Sequence, residues 1–72
     1  MKNYMEHILI NSRIMFGKPT IKGTRITVEL ILEELGAGKM LEDLLSAHPN
    51  LKRDDIRAAL IFAADSLKGE RV

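Results

Sequence analysis

The chain has 72 residues, 46% of them apolar and none cysteine, so it can form one small domain that buries only about 60% of the surface its unfolded form exposes, with no disulfide or thiolate metal site to help. No apolar run approaches the roughly 20 residues of a membrane span. Glu6, His7 and Asn11 interrupt the place where a secretory leader would need its apolar stretch, and a cytoplasmic protein is expected.

His7 to Ile10 is β-prone, and Arg13 to Phe16 repeats the apolar character after the turn-forming pair Asn11-Ser12. Thr20-Ile21 and Arg25 to Thr27 flank Lys22-Gly23-Thr24, which reads as a tight reversal with Gly23 at positive φ. Residues 1–27 are therefore predicted to be a short β arm carrying the connector GKPTIKGTRI, and residues 28–72 a helical core within the same domain. A first helix begins at Val28, capped by Thr27, with Glu29 near the positive end of its dipole. Val28, Ile31, Leu32 and Leu35 share one stripe, while Leu30 points almost the opposite way. Gly36 and Gly38 end this helix.

A second helix is predicted from about Met40 to Ala47, with Leu41, Leu44 and Leu45 inward and Pro49 as its stop. The third spans about Arg53 to Leu67, with Asp54 and Asp55 in its first turn and Ile56, Ala59, Leu60, Ala63 and Leu67 as its core stripe. Ala58, Ile61 and Phe62 fall off that stripe, and a helix apolar on two faces is usually buried on both. In so small a domain the second face is expected to meet another chain, which makes Leu30, Ala58, Ile61 and Phe62 the expected partner or dimer interface. Three helices with short joints match a mainly α, trihelical helix-turn-helix layout.

The net charge of +1 hides a division along the chain. Residues 1–27 carry five cations and one anion, a net of +4, whereas residues 28–51 carry five acids against Lys39, a net of −4. Such a split predicts one electropositive and one electronegative face; the alternative is that the two segments neutralise each other within a dimer.

Catalysis needs a nucleophile with a base, a paired acid and base, or a metal cluster. His7 and His48 stand 41 positions apart in no ligand-spaced array. The adjacent pairs Glu33-Glu34, Glu42-Asp43 and Asp54-Asp55 diverge on a helix and cannot act as dyads. No catalytic residue, metal site or cofactor is expected.

Gly17-Lys18 resembles a fragment of a phosphate-binding loop, but the full GxxxxGK[ST] pattern is absent. Gly17, Lys18, Lys22, Gly23 and Arg25 retain the means to set amides and cations against a nucleic-acid backbone; the alternative is a glycine-pinned turn whose cations are merely solvated. Base reading would fall to Lys52, Arg53 and Arg57 at the start of the third helix, opposed there by Asp54 and Asp55. The candidate DNA-binding set is thus Lys18, Lys22, Arg25, Lys52, Arg53 and Arg57.

The run GKPTIKGTRITVELILEELGAGKMLEDLLSAHPNLKRDDIRAALIFAAD, Gly17 to Asp65, resembles the bacterial and archaeal family called domain of unknown function 433, whose members look like small antitoxins. The resemblance is specific at GKPTIKGTRI, at the glycine-closed helix and at DIRAAL, residues 55–60. It implies a homeodomain-like trihelical fold behind a short β arm, often encoded beside a PIN-like nuclease. By that analogy the protein is no enzyme: it would bind and block the nuclease, and the complex would repress its own operon, while the surplus of aliphatic side chains in so short a chain separately predicts a homo-oligomer or a partner. The reading kept open beside it is a DNA-binding regulator without a toxin partner. The family commonly opens its second helix with Ser and its third with Thr-Pro, where this chain has Met40 and Lys52-Arg53. Each lost cap costs about 1 kcal/mol unless something replaces it.

Overall fold

The computed structural model describes residues 3–69; residues 1, 2 and 70–72, the outermost parts of the two predicted segments, lie outside it. β-prone runs this short sustain only a two-residue pairing. Strand β1 (Ile8–Leu9) runs antiparallel to β2 (Thr20–Ile21), with Ile8 opposite Ile21 and Leu9 opposite Thr20. The reversal after β2 is the predicted one: Gly23 has φ 83°, a region open to glycine without a Cβ clash, and the Ile21 amide donates to the Ile26 carbonyl at 2.8 Å. Arg13 to Phe16 forms no strand. Residues 11–17 fold into a closed loop ending in a short turn at Met15–Gly17.

Helix α1 (Val28–Gly36) starts where Thr27 caps it, its hydroxyl accepting from the Leu30 amide at 3.0 Å. It ends in a left-handed Gly38 (φ 97°), with the Gly38 amide donating to Leu35 and that of Lys39 to Glu34, the paired closure of a Schellman turn. Helix α2 (Leu41–Ala47) and helix α3 (Arg53–Lys68) follow. The architecture is mainly helical: three helices and one small two-stranded sheet.

The two caps expected to be lost are replaced from inside each helix. Asp43 accepts the Met40 amide at 2.7 Å, and Asp55 accepts the Lys52 amide at 2.9 Å. Each aspartate stands three residues after its cap and supplies the returning half of a capping box.

The core joins all parts: Ile8 and Ile21 from the arm, Val28 and Ile31 from α1, Leu44 from α2, Leu51 from the connection, and Ile56, Ala58 and Ala59 from α3. The buried face of α3 differs from the predicted stripe. Leu60 is 45% and Leu67 66% exposed, whereas Ala58 is fully buried and Asp55 is 8% exposed. The cause is the arm, whose helical turn Tyr4–His7 folds back against α3. Two side-chain bonds fasten it there: His7 Nδ1 lies 2.8 Å from Asp55 Oδ1, and the Tyr4 hydroxyl donates to Asp65 Oδ2 at 2.5 Å. Covering that flank draws Ala58 inward and turns Leu60 out.

A basic and apolar face on the third helix

Four of the five acids in the −4 stretch are engaged within the chain. Glu29 holds Lys18 Nζ at 2.8 Å, Glu34 holds Lys39 at 2.6 Å with His48 at 3.9 Å, Glu42 holds Arg53 at 2.8 Å, and Asp43 caps α2. The Lys39 hydrogen bond is the chief cause that lowers the Glu34 carboxyl below its ordinary range. Hydrogen bonding to Glu29, followed by its charge, raises the Lys18 ammonium. The predicted electronegative face is therefore largely neutralised inside one chain, through partners such as Lys18 and Arg53 that lie 11 positions away.

Among the described residues Lys22, Arg25, Lys52 and Arg57 form no ion pair, and all four are exposed. The fold gathers three of them from distant sequence. Lys22 donates its amide to the His7 carbonyl at 2.8 Å, His7 bonds Asp55, and Asp55 caps Lys52. Thr24, Arg25 and Ile26 border a concavity shared with Leu30 and the α2–α3 connection, Ala47 to Asn50. The reversal and the start of α3 thus lie side by side. Lys18 is set apart, beside Glu29 at the opposite end of α3.

Of the expected interface residues, Ala58 is withdrawn: its own arm and core enclose it completely. Leu30 and Ile61 are half-buried, Leu30 in the concavity just described. Phe62 packs partly on the core and also lines an open apolar groove of about 400 Å³ between α1 and the last turns of α3, with Pro19, Val28, Leu32, Ala63 and Leu67. Glu29 and Glu33 stand at its rim.

The exposed face of α3 carries Arg53, Arg57, Leu60, Ala64 and Leu67, a spacing of four and three that keeps all five on one side. Its first half is basic and its second half apolar. Leu60 and Leu67 were placed inside by periodicity, because helical spacing alone cannot say which of two apolar stripes is covered. The His7–Asp55 bond spans 48 positions, and no local pattern announces it.

Among the described residues no group of three or more His, Cys, Asp or Glu side chains could hold a metal ion. No helix there is long and apolar enough to cross a membrane.

Comparison with known proteins agrees in leaving activity open. An uncharacterized protein, y4eO, of Sinorhizobium fredii is 39% identical over 59 residues, covering 81% of this chain but 27% of its own length. The chain thus spans about a quarter of that relative. An uncharacterized protein of Archaeoglobus fulgidus is 56% identical over 25 residues, 35% of this chain and 69% of the relative. No solved structure matches. The family described as "Protein of unknown function (DUF433)" matches residues 8–63, which include the connector, all of α1 and α2 and most of α3, and the chain belongs to that family.

Proposed function

We propose that this protein is a cytoplasmic, antitoxin-like module of homeodomain-like architecture, which works by binding and has no catalysis of its own. The observation that carries the reading is the divided outer face of α3. Arg53 and Arg57 lie on the half nearest Lys52 and the reversal, where phosphates can be met. Leu60 and Ala64 follow on the same side, where a solvated helix would carry polar groups. On this reading one helix carries a nucleic-acid contact and a protein contact in series, which suits a module that blocks a PIN-like nuclease and represses its own operon.

Co-expression with the products of neighbouring genes, followed by size exclusion, tests the protein contact. The expected result is a co-eluting nuclease that is inactive in the complex. A protein that stays apart from every neighbour's product defeats the reading.

A regulator acting without a toxin is favoured by a different observation: four of the five cations that form no ion pair among the described residues, Lys22, Arg25, Lys52 and Arg57, stand at the reversal and the first turns of α3, while four of the five acids of residues 28–51 are held by internal contacts. It predicts a shift of upstream DNA that weakens steeply with salt, with or without any protein partner. No shift at low salt under either condition removes DNA from both readings.

A further inference from the structure

The loop between β1 and β2 holds an aromatic side chain in water at a conformational cost. Met15, Phe16 and Gly17 have φ of 49°, 59° and 80°, three consecutive left-handed residues of which only the last is a glycine. Left-handed backbone is disfavoured for bulky side chains. The rest of the loop enforces it: Asn11 Oδ1 accepts from the Arg13 amide at 2.9 Å, the Ile14 amide donates to Asn11, Gly17 to Ile14 and Lys18 to Met15. Phe16, at the apex, is 95% exposed. A rigid loop that presents one aromatic ring is preorganised to bind, since little freedom remains to be lost.

The apolar groove between α1 and α3 begins a short way along the chain from the apex of this loop. Pro19, three residues after Phe16, forms part of the groove wall. Lys18, between them, is tied to Glu29 at the rim. Glu33, also at the rim, and Arg13, in the loop, form no ion pair among the described residues.

We propose that Phe16 of one copy seats in the α1–α3 groove of a second copy, and the reverse, so that the chain pairs as a two-fold dimer. A projection and a recess on one chain satisfy each other reciprocally under a two-fold axis, which closes at two subunits and leaves no open end. The opposite charges of Arg13 and Glu33 set the register across the contact. This goes beyond the antitoxin reading and leaves Leu60 and Ala64 to other partners.

Sedimentation equilibrium on the wild-type chain, loaded on the order of 100 µM so that a small interface is populated, should give twice the chain mass. Phe16→Asp should give the monomer mass, and at dilutions where the wild type is also monomeric it should melt no lower than wild type, because the side chain makes almost no contact within its own fold. A wild-type chain that is monomeric under these conditions overturns the proposal, as does a Phe16→Asp dimer. The absence of native cysteine allows a second readout. Phe16→Cys chains mixed with longer-tagged Ala63→Cys chains should form the mixed disulfide under mild oxidation. Cross-linking only between like chains, or none, overturns it. If Phe16→Asp abolishes nuclease co-elution while wild type and variant self-associate equally, Phe16 belongs to the nuclease contact and the dimer proposal fails, although the antitoxin reading survives.

Discussion

The first and second halves of α3 belong to one uninterrupted helix and meet different surroundings. The first half contributes every buried residue of the helix, Asp55, Ile56, Ala58 and Ala59, because the arm, α1 and α2 converge there. The second half runs on beside a nine-residue α1, and with 16 residues at about 1.5 Å each α3 is the longer rod. Where the core gives out, Phe62 and Ala63 become the wall of a groove and Leu67 turns largely to solvent. The helix is therefore anchored chiefly by its beginning, with the Tyr4–Asp65 bond as a polar tie farther along, and the apolar side of its end is available for contact.

The sharpest way to break this comparison is a double dissociation. Lys52→Ala with Arg57→Ala should abolish most DNA binding and lower the log–log salt slope by about 2, one unit for each phosphate contact, while nuclease binding survives. Leu60→Asp should do the converse. Since Leu60 is 45% exposed, the fold tolerates the charge. Gel shifts across a salt series and co-elution measure the two arms, and a variant that loses both would mean that the halves act as one surface.

Anchoring of the first half can be measured directly. Asp55 uses one oxygen for His7 and the other for the Lys52 amide, so Asp55→Ala should lower stability by about 1.5–3 kcal/mol, the range for hydrogen bonds to a charged group. A urea midpoint equal to wild type would show that the arm is not held through this residue. A smaller effect of opposite sign is expected at the loop apex. Phe16→Gly relieves a left-handed side chain and adds the entropy cost of glycine, for a net gain of about 0.5–1 kcal/mol, read from the same titration at a dilution that leaves both chains monomeric.

The smallest effect concerns the second half. The hydrogen bond to Asp65, then burial and the carboxylate's charge, raise the Tyr4 hydroxyl above its ordinary value of 10.0. A proton bound more tightly in the folded chain gives a contribution that is complete below that ordinary value and is lost as pH rises through the raised one. Urea midpoints between neutrality and strong alkali should thus fall for wild type and stay flatter for Tyr4→Phe.

Much of this fold was legible in local chemistry. Thr27, Gly23 and the spacing of Val28 and Ile31 act within a few residues, and their roles follow from backbone geometry alone. The buried side of α3 was not legible. Its two apolar stripes are alike in composition, and the choice between them is made by Tyr4 and His7, 61 and 48 positions from their partners. The same limit applies to charge. Glu29 and Glu42 look like a solvated acidic face until the fold brings Lys18 and Arg53 to them. Left-handed Phe16 carries no local mark either, since the residues before it resemble a strand.

Asp43 and Asp55 begin their helices from the third position inward, so neither Met40 nor Lys52 has to supply a capping side chain. Residue 52 is thereby released from a structural duty at the point where the reversal and α3 converge. Its side chain can be exchanged for another, cationic, neutral or acidic, without disturbing how the helix starts. Selection or an engineer can retune what this end of the molecule attracts by changing one residue, with the scaffold indifferent to the choice.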